Sequence, residues 1–321
     1  VVASVAVLLL VAELLARSAG LHTPVLYQRT SYGYRVAPDQ SLDRFWRAVA
    51  YNAQGLRSAP LAAPMEGEVR VLCLGDSITN GGTLTDQADT YPHLLQGELS
   101  SALAAVRVLN ASAPGWALGN ELGWLRENGT FKASVVVLEV ATHDLFQPPA
   151  GSDLVGRHPS FPDRAPRFAL SELMFRYLLP WIGIGLARVD PGAAGLAPTE
   201  AAMERALAAL EGLVRESRAR DAVPVVMFVE QPPPLEHQDP LTREAKMRMR
   251  ELLGRERVTL VETAPQVERE GGPALFRDGL HPNAAGNAVL AKAVAPAVGG
   301  ALRRALAQAL SESRGAVSSL N

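Results

Sequence analysis

From Val69 onward, short apolar runs rich in β-branched residues alternate with longer stretches of helical period. The runs read VRVLCL from residue 69, VRVLN at 106–110, SVVVLEV at 134–140, VPVVMFVE at 223–230 and VTLVE at 258–262. None alternates polar with apolar positions, as parallel strands covered on both faces require. The spacing between them predicts helices at about 90–104, 117–128, 199–220 and 241–254, and an Ala/Leu-rich helix closes the chain from Asn283. Strand and helix in this order imply an α/β fold, a three-layer α/β/α sandwich on a five-stranded parallel sheet. Ligands of such sheets bind beyond the carboxyl ends of the strands. Gly75-Asp76-Ser77, Asn110 and the residues after Val140 all fall at such ends.

Outside this rhythm lie three segments. Residues 1–18 open VVASVAVLLLVAELLA, interrupted only by Ser4 and Glu13, and we read them as an uncleaved membrane anchor. As printed the run is shorter than the roughly 20 residues of a spanning helix, and the chain begins without Met, which leaves room for a missing part. A signal peptide and an amphipathic helix packed on the domain are the competing readings; against the former, no small-x-small cleavage site stands out. Residues 19–66 carry Pro24, Pro38, Pro60 and Pro64, several aromatics and no sustained period, as expected of an extended connector lying on the main domain. That domain spans 67–310 with an insertion at 146–198, and 311–321 form a tail. The insertion continues into ALSELMFRYLLPWIGIGLARV, which reads as a satellite helix over exposed core, as a lid or substrate wall, or as a lipid contact beside an anchored domain.

Composition narrows the function. At 321 residues and 48% hydrophobic the chain can fill a sizeable core. With 31 basic against 33 acidic residues and no basic stripe interleaved with aromatics, a nucleic-acid partner has no electrostatic support. One cysteine and six scattered histidines show no metal-ligand spacing, so neither a metal nor another cofactor is expected. Cys73, inside the first strand, reads as inert packing.

The first strand stops at Gly75-Asp76-Ser77 within VLCLGDSITNGG. GxGxxG, GxxxxGK[ST] and GxSxG are all absent, which removes a phosphate-cradling loop and the α/β-hydrolase elbow. A turn followed by a helix cap remains one reading of the three residues, a nucleophile the other. Downstream, RDGLHPNAAG at 277–286 offers Asp278 and His281 three residues apart. At that spacing the two side chains share a face, so a carboxylate can hold one imidazole nitrogen while the other points away as a base. A surface Asp and a loop His ahead of a helix would look the same.

Taken in order, VLCLGDSITNGG, LNASAPGW and DGLHPN resemble the SGNH hydrolases, the GDSL-type esterases and lipases, over about residues 69–296. The resemblance implies a flavodoxin-like sheet, a nucleophile at Ser77, and Asp278 and His281 as the rest of a Ser-His-Asp triad. It places the oxyanion-hole amides at Ser77 and Gly115, with Asp76, Asn110 and Asp144 in support. Where the family has Gly-x-Asn-Asp this chain reads Ala141-Thr142-His143-Asp144, so His143 stands in the position of the oxyanion asparagine. An amide always donates, whereas an imidazole nitrogen donates only in the right tautomer or when protonated. Loss of one such donor costs roughly 2.7–4 kcal/mol in the barrier, short of abolition. His143 therefore substitutes as donor, serves a different acyl acceptor, or marks a site decayed into a binding module, in that order of preference. The implied activity is hydrolysis of small, acetyl-like esters on a carbohydrate or lipid. An O-acyltransferase to a polysaccharide hydroxyl and a non-catalytic carbohydrate-binding protein are the alternatives. The anchored bacterial type puts the catalytic domain outside the cytoplasm; a secreted protein is the other option.

Overall fold

A computed structural model describes residues 2–65, 67–101, 105–182, 198–230 and 239–318. Helix α1 (Val2–Ser18) leads into two antiparallel hairpins, β1 (Tyr27–Thr30) with β2 (Gly33–Val36), and β3 (Gln40–Arg44) with β4 (Arg47–Tyr51). The alternating part follows with β5 (Val69–Gly75), the short α2 (Ser77–Asn80), α3 (Tyr91–Ser100), β6 (Val106–Ser112), α4 (Leu118–Asn128) and β7 (Val135–Ala141). The insertion contributes α5 (Ala169–Glu172), a π-helical segment (Leu173–Leu178) and α6 (Leu179–Trp181). The chain then runs through α7 (Glu200–Arg218), β8 (Val223–Val229), α8 (Pro240–Arg255), β9 (Thr259–Glu262), α9 (Ala264–Glu270) and α10 (Ala284–Ser318).

Strands β5 to β9 form one parallel sheet in the order β6-β5-β7-β8-β9. This is the expected five-stranded α/β sandwich. The absence of polar alternation has a direct cause, because successive residues of each strand enter two different cores. Leu72, Leu74, Val136, Leu138, Val226 and Phe228 face α4, α7 and α8, while Val71, Cys73, Val135, Val137, Val225 and Met227 face α3 and α10. β9 departs from the reading of a buried strand. It is an edge with one neighbour, and its ends, Thr259 and Glu262, are exposed. Chain order reverses beside β5, so the crevice between β5 and β7 is the topological switch point where sheets of this order place ligands.

Residues 19–66, read as a connector without a period, carry the two hairpins. Strands of four or five residues are too short to display one. Tyr27, Tyr34, Val36, Val49, Tyr51 and Leu56 join the larger core, so this region is integral to the fold. Part of the insertion, 183–197, and the prolines at 232–234 fall outside the described residues. The described insertion is tied to the second hairpin by the buried Arg44, which pairs with Glu172 and donates to Gly20 O at 2.7 Å and to Tyr177 Oη at 3.0 Å. α10 continues in helix to Ser318, past the expected boundary at 310.

Among the described residues one stretch, Ala284–Gln308, is long and apolar enough to cross a membrane. It is 56% buried inside the protein, where Leu290, Val294, Val298 and Leu302 pack beneath the sheet. α1 is different. Only Ala16 is buried, and Val2, Leu8, Leu9, Leu10, Leu14 and Leu15 are each more than half exposed.

Removing one member of a buried ion pair costs about 3–5 kcal/mol because the other is stranded, whereas replacing both with apolar side chains is often neutral. Arg44→Met, which leaves Glu172 only Arg176 at 3.2 Å, should lower the free energy of unfolding by up to about 3 kcal/mol. Arg44→Met/Glu172→Met should recover part of that loss, as read by thermal denaturation followed by circular dichroism.

Candidate active site

The first strand must end in glycine. A Cβ on Gly75 would lie 2.2 Å from Thr79 Oγ1 and 2.8 Å from Glu139 Oε2, both packed beneath the turn. Asp76 then caps α2, its Oδ1 accepting from the Ile78 amide at 2.8 Å. Gly81, in the left-handed region, closes the helix by donating its N–H to Ser77 O at 2.9 Å. The turn is a helix cap, and it presents Ser77 as the first helical residue at the switch point. Amides in a helix's first turn have no partner within the helix and remain available as donors.

Ser77 Oγ lies 3.0 Å from His281 Nε2, across 204 residues of chain. The histidine reaches it from a tight loop in which Arg277 N donates to His281 O, Phe276 bridges to Pro282, and Gly279 adopts a φ of +78°. Within that loop Asp278 Oδ1 accepts from the amides of Leu280 and His281, and Oδ2 accepts from His281 Nδ1 at 2.8 Å. The i,i+3 spacing thus lets one carboxylate fix both the loop and the ring. Burial would raise the Asp278 carboxyl, but the amide and ring of His281 outweigh it and hold the group below the usual carboxylate range.

His143 occupies a different position. Its Nε2 lies 3.0 Å from Asp76 Oδ2, the oxygen that also stands 3.2 Å from Ser77 Oγ, and 3.5 Å from Asp144 Oδ1. The serine hydroxyl therefore has one proton and two acceptors in reach. An Asp76 oxygen already engaged by His143 is the poorer acceptor, which leaves the hydroxyl to His281. Burial opposes ionisation of Asp76, yet the hydrogen bond and charge of His143, with the Ile78 amide, hold its carboxyl down to about 2. Its neighbours are forced the other way. Burial, the charge of Asp76 beside it and only partial help from His143 push Asp144 up to about 7. Burial first, and then nearby carboxylates, raise Glu139 and Glu121 well above the usual range. Asp76, His143 and Asp144 present potential metal-ligating atoms within 4.8 Å of one another.

Asn110 is structural support, donating Nδ2–H to Thr79 O at 2.8 Å beneath α2. Gly115 has a φ of +78°, and a Cβ there would meet Tyr34 Oη at 2.9 Å. Beside Ser77 and His281 opens a cleft of about 450 Å³, lined also by Tyr27, Tyr51, Pro114, Phe161, Arg176 and Arg277. Neither Gly115 nor His143 lines it, although Pro114, adjoining Gly115, does. Sequence reasoning missed two groups here. Tyr27 and Tyr51 come from the hairpins. Arg57, buried, donates to the carbonyls of Asn80 and Gly82 at 2.5 Å and of Thr85 at 2.7 Å, clamping the loop that follows the serine helix. Nothing in the local pattern marks an arginine whose partners lie more than twenty residues away.

A profile of the GDSL-like lipase/acylhydrolase family matches residues 73–289, the stretch that carries β5, the Gly75-Asp76-Ser77 turn and the Asp278–His281 loop. The chain belongs to this family and is a serine ester hydrolase of its type. Comparison with curated proteins finds no match. Similar solved structures include TesA, at 22% identity, covering 71% of this chain and 96% of that one with a TM-score of 0.45. An acetylxylan esterase from Geobacillus stearothermophilus is 19% identical over 71% of this chain and 94% of its own, with a TM-score of 0.44. A GDSL-like lipase from Bacteroides thetaiotaomicron is 14% identical over 75% and 93%, with a TM-score of 0.43.

The buried carboxyls make stability depend on pH in opposite senses. Asp76, lowered in the fold, contributes stability above about pH 4 that is lost as pH falls towards 2. Asp144, raised to about 7, favours the fold below about pH 4 and that contribution is lost as pH rises through 7. Asp144→Asn retains an oxygen acceptor for the Ala141 amide and removes the second effect. Its thermal midpoint relative to the parent should therefore rise between pH 5 and pH 8, and a difference constant across that range would contradict the assignment.

Proposed function

We propose that the chain is a membrane-anchored serine esterase that removes small acyl groups from a carbohydrate or lipid through Ser77, His281 and Asp278. The observation that carries this reading is the continuous hydrogen-bonded chain from Ser77 Oγ through the His281 ring to Asp278, with distances of 3.0 and 2.8 Å, at the mouth of the cleft. Ser77 Oγ attacks the ester carbonyl while His281 Nε2 takes its proton. The developing oxyanion accepts from the amides of Ser77 and Gly115. Collapse expels the alcohol, protonated by His281, and leaves the acyl group on Ser77. Water, deprotonated by the same nitrogen, then releases the acid and restores the serine. Asp278 keeps Nδ1 protonated, so that Nε2 faces the serine as the base.

The size of the cleft suits a small acyl ester, since small-molecule sites run about 300–1,000 Å³. In this reading His143 acts chiefly from beneath the serine, holding Asp76 so that the nucleophile's proton goes to His281. Anchoring rests on α1. Its 17 described residues span about 25 Å at 1.5 Å per residue, and its apolar side chains have no protein cover over most of that length. In this reading the catalytic domain works at a membrane surface, on the side outside the cytoplasm that the anchored type of the family implies.

Ser77→Ala should abolish turnover of p-nitrophenyl acetate and labelling by a fluorophosphonate, with the circular dichroism spectrum unchanged. His143→Asn should retain turnover with a lowered kcat, because the shorter amide no longer engages Asp76 Oδ2 as the imidazole does. A strong gain in the asparagine variant over a nearly inactive parent would mark the parent site as decayed. Adding a soluble polysaccharide acceptor should leave acid as the main product; acylated sugar in its place would reassign the reaction as acyl transfer.

A further inference from the structure

Three segments distant in sequence bring exposed aromatic and aliphatic side chains to the base of α1. The first is α1 itself, whose last turns are clamped to the insertion: Glu13 accepts from the amides of Ala169 and Leu170 at 2.9 and 3.0 Å, and Arg17 donates to Arg167 O at 2.9 Å. The second is the helical insertion, where Phe168, Phe175, Trp181 and Ile182 are 62, 60, 78 and 51% exposed. The third is the β3–β4 hairpin tip. Phe45 donates its N–H to Ala19 O at 2.9 Å and sets its ring 6.2 Å from Tyr177, while the adjacent Trp46 is 77% exposed.

The hairpin tip is the informative one. Phe45 and Trp46 both have positive φ, 50° and 57°, the conformation that two-residue turns normally give to Asn-Gly because a side chain there is strained. Phe45 offsets its share by packing against Ala16, Leu21, Ala169 and Leu170. Trp46 is left in a strained backbone with its indole in solvent, so burial within the protein does not compensate it. Indoles at this density beside an apolar helix are characteristic of a membrane–water interface. The surrounding charge is positive on balance: Arg47, Arg164 and Arg167 are exposed beside Asp43 and Asp163, and Glu13 and Glu172 are already paired with arginines. Arg176 lines both the catalytic cleft and the adjoining basic pocket that contains Arg164, Arg167 and Phe175, so the cleft opens beside this face.

We infer that the hairpin tip and the helical insertion form an interfacial seat on an anionic phospholipid bilayer, holding the catalytic cleft at the lipid surface so that its ester substrate is taken from there. The inference rests on the anchored reading of α1 and extends it. The basic rim supplies attraction to anionic headgroups, and the aromatic and aliphatic side chains supply the burial that a peripheral helix needs.

The test uses the full chain reconstituted in phosphatidylcholine/phosphatidylglycerol vesicles. The single native cysteine, Cys73, is buried, so a cysteine introduced by Trp46→Cys, Phe175→Cys or Trp181→Cys takes a fluorophore selectively. Quenching by doxyl-labelled lipid is expected at all three positions and at Leu9→Cys. It is not expected at Arg255→Cys, at the far end of α8. Quenching at Leu9→Cys alone would overturn the seat while leaving the anchor intact, and none at Leu9→Cys would overturn the anchor and the seat with it. A chain that dimerises through this face, seen by light scattering as a monomer on Trp181→Asp, with labels unquenched, would also overturn it. In parallel, Phe175→Asp/Trp181→Asp should reduce turnover of a vesicle-borne ester roughly tenfold and leave soluble p-nitrophenyl acetate turnover unchanged. Equal loss on both substrates would show a structural role instead.

Discussion

The carboxylate of Asp76 is the point on which the rest of the site is assembled. It is buried at the end of the first strand of the sheet, where one oxygen caps the serine helix and the other meets His143 and the serine hydroxyl. A charge in that position survives only because donors surround it. Its charge, added to burial, raises the carboxyls of Asp144, Glu139 and Glu121 above the usual range. Asp76 thus carries the lowered carboxyl of a buried acidic cluster behind the serine turn, and the orientation of Ser77 follows from how that charge is satisfied.

The cleft beside Ser77 is built largely from parts outside the alternating strand and helix pattern. The hairpins supply Tyr27 and Tyr51, the insertion supplies Phe161 and Arg176, and the loop before α10 supplies Arg277, Asp278 and His281. Two buried arginines integrate these parts. Arg57 holds the loop after the serine helix by three backbone carbonyls, and Arg44 joins the second hairpin to the insertion. A guanidinium suits both tasks, because its planar fork serves several acceptors at once and it stays charged when buried. The same joint connects the catalytic domain to the base of α1, which gives the proposed anchor and seat a rigid link to the cleft.

The sandwich was legible because its signal is local. Unbroken apolar runs in 71–74 and 135–138 can only be covered on both faces, and the helical period of 199–220 extends over enough turns to be seen. Gly75-Asp76-Ser77 and Asp278-x-x-His281 were legible for the same reason: a glycine for close approach, an aspartate that caps, and a carboxylate three residues from an imidazole are each satisfied within a few residues. The hairpins at 27–51 were not legible, since their strands are short and their burial depends on a sheet that follows them in the chain. The edge character of β9 was hidden as well, because an apolar run does not state how many neighbours it will have.

By itself, then, the amino-acid order determined which segments from Val69 onward become the strands and helices of the sandwich, that they stack in three layers, and which residues could act as nucleophile, base and orienting acid. Only the tertiary structure decided that Ser77 and His281, separated by 204 residues, meet at 3.0 Å, that His143 is engaged with Asp76, and that Arg57 and Arg44 serve backbone carbonyls and a carboxylate from other elements. The reason is one of range. Periodicity, capping and turn chemistry act between residues a few positions apart, while hydrogen bonds and desolvation act between whatever groups the packed sheet brings together.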